Sequence, residues 1–101
     1  MPHRKQTQER IHRVLPALLV ERGLSQRALA RSIGVNQSHI SRVLAESQQL
    51  PPSQQLCGQI AKALDLPRDY FVEYREAAAI EAIKRDAALR ERIYARLQRQ
   101  P

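Results

Sequence analysis

With 101 residues, 43% of them apolar and 4% aromatic, the chain is sized for one small domain with an aliphatic core and room for a terminal extension. Its net charge of +7 and a sequence pI near 10.5 point toward a polyanionic partner. One cysteine excludes an internal disulfide, and the longest strongly apolar run, VLPALLV at 14–20, is far short of the roughly 20 residues a membrane-spanning helix needs, so no membrane role is expected.

Three glycines and few β-branched residues, set against many Ala, Leu, Arg, Gln and Glu, favour an all-α fold. Residues 1–5 form a basic arm. Ile11, Val14, Leu15, Leu18 and Leu19 recur at three- and four-residue steps and predict a first helix that ends at Gly23. Pro16 lies inside it, so the helix either kinks there or restarts with Pro16 in its first turn. Ser25 suits the N-cap of a second helix, with Ala28, Leu29 and Ile33 facing inward and Gly34 stopping it in a left-handed conformation. Asn36 is placed to cap a third helix that buries Ile40, Val43 and Leu44. ESQQLPP (46–52) has the composition of a loop. Ser53 caps a fourth helix buried through Leu56, Cys57, Ile60, Ala61 and Leu64. After a turn at 65–67, Tyr70 and Phe71 close the core at the start of a fifth helix. The Ala-rich remainder carries two apolar stripes out of phase, Ile80–Ile83–Ala87 and Leu89–Ile93–Leu97. Asp86 stands at the phase change, where it can cap a last helix, and Lys84 and Arg85 suit the last turn of the helix before it.

The charge is uneven. Residues 1–45 hold eight Lys or Arg against two Glu, a balance of +6; residues 46–101 hold nine against eight acids, a balance of +1. From Arg22 to Ala45 there is no Asp or Glu, although Arg22, Arg27, Arg31 and Arg42 fall in that span. A merely soluble surface normally mixes both signs, so charge alone leaves two readings open, a basic surface or a nucleic-acid footprint.

Spacing separates them. Two short helices joined through Gly34, with a small residue (Ala30) before the glycine and an apolar anchor (Ile40) after it, form a helix-turn-helix. In that arrangement the second helix enters the DNA major groove and its N-terminal residues reach base edges. The first turns of the two helices are Gln26-Arg27-Ala28 and Gln37-Ser38-His39. Neither contains the carboxylate that a helix dipole favours, and a carboxylate there would repel a phosphate that backbone N–H groups attract.

Residues 24–66 resemble the lambda-repressor-like, Cro/CI-type (XRE family) helix-turn-helix domains, through LSQRALARSIGVNQSHISRVL, the PS at 52–53 and IAKALDLP at 60–67. The resemblance implies a five-helix DNA-binding bundle, here with an additional C-terminal helical extension, that binds operator DNA as a dimer on a palindromic site. It assigns residues 1–72 to the DNA-binding domain, with the helix-turn-helix proper at 25–45, and leaves 73–101 as the extension. By position, Gln26 contacts a phosphate and braces Gln37, while Gln37, Ser38, Ser41 and Arg42 read bases. Glutamine suits adenine and arginine suits guanine. His39 at the edge, Arg27, Arg31, and Arg4 with Lys5 in the arm are phosphate candidates. Leu44 and Glu46 depart from the Glu and Gly common at those places, and the loop before Pro52 is longer than usual, which weakens any carry-over of phosphate contacts to Ser47, Gln48 and Gln49. For Arg42 an ion pair with Glu46 is the competing reading.

No catalytic or metal constellation is visible. Cys57 falls on an inner stripe, His3, His12 and His39 lack ligand spacing, and no cofactor is expected. Glu73, Glu76, Glu81 and Glu91, interleaved with Lys and Arg, read as a solvated helical face. The apolar tail residues Ile80, Ile83, Leu89, Ile93, Tyr94 and Leu97 either pack back on the bundle or build a homodimer. The reading is a cytoplasmic, nucleoid-associated, sequence-specific transcriptional regulator and not an enzyme. An antitoxin-like module whose C-terminal helices hold a partner protein, with DNA binding secondary, is the alternative.

Overall fold

A computed structural model describes residues 6–45 and 51–100. It contains six helices and, among the described residues, no strand: α1 (Ile11–Arg22), α2 (Gln26–Ile33), α3 (Gln37–Leu44), α4 (Gln54–Ala63), α5 (Val72–Arg85) and α6 (Ala87–Gln98). The fold is an all-α helix-turn-helix bundle with a C-terminal helical extension. Helices α2 and α3 pack on each other, α1 against α3, α4 against α2 and α5, and α6 against α5.

The helix boundaries follow from side-chain chemistry. Ser25 Oγ accepts from the Ala28 N–H (3.0 Å), Ser53 Oγ from Leu56 N–H (3.1 Å) and Asp86 Oδ1 from Leu89 N–H (3.0 Å). Gly23 (φ 64°) and Gly34 (φ 76°) end α1 and α2 in the left-handed region that a Cβ disfavours. Ser25→Ala is expected to lower folding stability by about 1 kcal/mol, read as an earlier midpoint in urea with an unchanged slope.

Helix α1 is one helix with Pro16 on its exposed side, so of the two alternatives the restart is removed. The cap expected of Asn36 is corrected. Asn36 makes no side-chain cap bond. It holds the extended backbone an N-cap needs (φ −71°, ψ 148°), yet its carboxamide accepts from none of the first N–H groups of α3.

The core is aliphatic around one aromatic. Leu15, Leu29, Ile40, Ile60 and Phe71 are fully shielded, and Tyr70 meets Phe71 edge-on with ring centroids 5.2 Å apart. Contrary to the solvated face expected for the C-terminal acids, Glu73 is only 4% exposed. Both of its carboxylate oxygens accept from the Ile11 N–H (3.2 and 3.1 Å), so an α5 side chain serves the N-terminus of α1 from 62 residues away. Arg10 lies over it, with Nε 3.5 Å from Glu73 and a two-pronged bond to Glu76 at 2.8 and 3.0 Å. Arg75 donates to the carbonyls of Asp69, Tyr70 and Thr7. Residues 6–11 are thus tied to the entry of α5.

Helix α6 has no buried residue. Ile83, Leu89 and Ile93 are half-buried, while Ile80, Tyr94 and Leu97 are each more than half exposed. The tail therefore does not fold its apolar face back onto the bundle; its packing is with α5. Among the described residues no helix is long and apolar enough to cross a membrane.

Candidate nucleic-acid interface

Helix α3 has two faces set by its own spacing. Ile40 and Val43 point into the core, fixing the helix by its inner stripe. The residues on either side of that stripe have nowhere to go but outward: Gln37, Ser38, His39, Ser41 and Arg42 are all exposed. The four side chains expected to read bases thus share one solvent-facing side, on a helix anchored by buried aliphatics rather than by a loop.

Helix α2 sits beside it. Gln26 is half-buried in the first turn of α2, and its Oε1 accepts from the hydroxyl of Ser41 at 3.1 Å. This differs from the brace to Gln37 that the resemblance implied. Side chains on a helix lean toward its N-terminus, so Ser41 covers the turn that begins at Gln37 and reaches Gln26 first. The bond uses the carboxamide oxygen and leaves the Gln26 NH₂ free to donate outward. Gln37 keeps both of its polar atoms unengaged within the described residues.

The electrostatics are one-sided. Arg27 and Arg31, exposed one turn apart on α2, and Arg42 on α3 have no acidic partner among the described residues, whereas Arg10 has two and Arg85 and Arg90 have one each. The competing Arg42–Glu46 pair, the arm residues Arg4 and Lys5, and Ser47, Gln48 and Gln49 lie outside the described residues. Asn36 is a site candidate that local reading assigned to capping. Its side chain is exposed and makes no hydrogen bond within the described residues at the entry to α3, while its carbonyl accepts from the His39 N–H at 3.0 Å; an N-cap residue without its cap bond is the structural signal.

Cys57 is buried, and burial chiefly, with the charge of Glu73 second, pushes its thiol up to about 12. Its backbone environment opposes this only in part, so the side chain is a thiol and not a thiolate at neutral pH. Among the described residues no three His, Cys, Asp or Glu side chains group as metal ligands would.

The surface built by α2 and α3 can therefore offer backbone and carboxamide donors to phosphates, and a mixed set of hydrogen-bonding side chains to base edges. The helix-turn-helix family model matches residues 17–71, which is more than half of the chain and runs from the middle of α1 to the end of the core at Phe71. Neither the curated proteins nor the solved structures returned a match.

Proposed function

Because the chain belongs to the lambda-repressor-like, Cro/CI-type helix-turn-helix family and is a DNA-binding regulator, we propose that it is a cytoplasmic, nucleoid-associated repressor that reads a palindromic operator as a homodimer. The observation that carries this reading is the outward face of α3, where Gln37, Ser38, Ser41 and Arg42 are exposed together with no carboxylate from Arg22 to Ala45. In this reading Gln37 and Arg42 select bases. Gln26, Arg27, Arg31 and His39 hold the backbone, with Arg4 and Lys5 adding to it from the arm. Amide shifts on adding duplex DNA should map to the starts of α2 and α3; shifts confined to α6 would remove the proposal.

A single recognition helix touches one half-site, and a two-fold pair places two of them about 34 Å apart, one turn of DNA. The uncovered face of Ile80, Tyr94 and Leu97, flanked by Ile83, Leu89 and Ile93, is the surface we assign to the second copy, with residues 73–101 as the dimerisation element and 1–72 as the reader. Changing Ile80, Tyr94 and Leu97 together to serine is expected to give a monomer in sedimentation at micromolar concentration. Affinity for a full palindrome should fall about 100-fold while half-site binding is retained. The same exposed face supports a second reading, an antitoxin-like protein whose C-terminal helices hold a different partner. A triple-serine chain that stays dimeric and keeps its affinity favours that reading instead.

A further inference from the structure

The outer side of α4 is hollowed. Gln55, Gly58, Gln59 and Lys62 share one face of the helix, and Arg68 and Tyr74 stand opposite, enclosing a groove of about 380 Å³. Past Gln59 and Lys62 a second hollow of about 420 Å³ runs on to Ser32 and Ile33 at the end of α2.

No acidic side chain lines either hollow, and Lys62 and Arg68 have no ion pair among the described residues. The neighbouring acids are committed elsewhere or do not reach in. Asp69 accepts from Gln6 Nε2 at 3.0 Å, Glu73 serves the Ile11 N–H, and Asp65 does not line the groove.

Gly58 explains how the cation is held. Glycine in mid-helix weakens the helix, so it calls for a reason. A Cβ at Gly58 would stand 3.0 Å from Arg68 Cγ and 3.1 Å from Tyr74 Cε2. The missing side chain lets the aliphatic stem of Arg68 and the ring of Tyr74 lie on the α4 backbone. The guanidinium is thus carried at the groove on a supported stem, with its charge unspent.

We propose that this groove binds a small molecule bearing a phosphate group, held by Lys62 and Arg68. Two cations match a dianion, the guanidinium offers a planar pair of donors, and the carboxamides of Gln55 and Gln59 add neutral ones. The assignment stands apart from the α2–α3 surface and does not depend on what that surface reads.

The test uses the full chain, labelled with ¹⁵N, and titrates inorganic phosphate against sodium chloride at matched ionic strength. Saturable shifts are expected at the Arg68 Nε–H, the Gln55 and Gln59 carboxamides and the α4 amides. Lys62→Gln and Arg68→Gln should each weaken them about tenfold at an unchanged melting temperature. Equal shifts with chloride, or phosphate shifts confined to α2 and α3, overturn the proposal, as do variants that bind as the parent does. A parallel arm adds duplex DNA in place of phosphate. Groove shifts with the duplex that are absent with phosphate would make the groove part of the DNA surface and overturn the small-molecule assignment.

Discussion

Glu73→Ala is expected to lower folding stability by about 2–3 kcal/mol, which for a chain of this size is a fall in melting temperature on the order of 10 °C. The carboxylate is 4% exposed and is the acceptor for the Ile11 N–H, at the point where α1 begins. Alanine leaves that donor buried and unpaired, removes the partner beneath the Arg10 Nε, and opens a small void between α1 and α5. Glu73→Gln keeps one acceptor oxygen and the volume, and should lose distinctly less. Urea unfolding of the three chains checks the ordering. An alanine variant as stable as the parent would mean that the α1 N-terminus is satisfied by water.

Arg42→Ala and Gln37→Ala are expected to act on recognition and not on the fold. Each should cost about 1–3 kcal/mol, roughly 5- to 150-fold, at the operator position it reads, and leave other positions as selective as before. Both side chains are exposed and unpaired within the described residues, so their removal breaks no bond among those residues and melting temperatures should hold. Arg31→Ala is the contrast. A phosphate contact carries no sequence information, so its loss should weaken all duplexes alike and reduce the salt slope by about 1. Affinities for an operator and its single-position variants separate the two patterns.

Much of the fold is legible locally because its determinants are local. Ser25, Gly34, Ser53 and Asp86 mark helix ends within three or four residues of the groups they bond, and the core stripes of α1 to α4 repeat at helical spacing. The outward set on α3 follows from the same periodicity, since fixing Ile40 and Val43 inside forces Gln37, Ser41 and Arg42 outside. What stayed hidden depends on partners distant in sequence. Nothing in the residues around Glu73 distinguishes it from Glu76 or Glu81; only the arrival of Ile11 buries it. Gly58 reads as an ordinary weak helix residue until Arg68 and Tyr74 lie across it. Asn36 has the right type for a cap and the right backbone, yet its side chain makes no cap bond. The bond from Ser41 to Gln26 spans two helices whose crossing is a tertiary fact, so it is not legible from family position alone.

In the proposed function the outward face of α3 reads sequence in double-stranded DNA. Selection from a random duplex library at physiological salt tests it most directly. Enrichment of an inverted repeat with half-sites one helical turn apart is the predicted result, with the preference at separate positions relaxed by Gln37→Ala and by Arg42→Ala. A pool that stays random while retained DNA washes off uniformly as salt rises would contradict it, leaving a surface that holds phosphates and reads nothing.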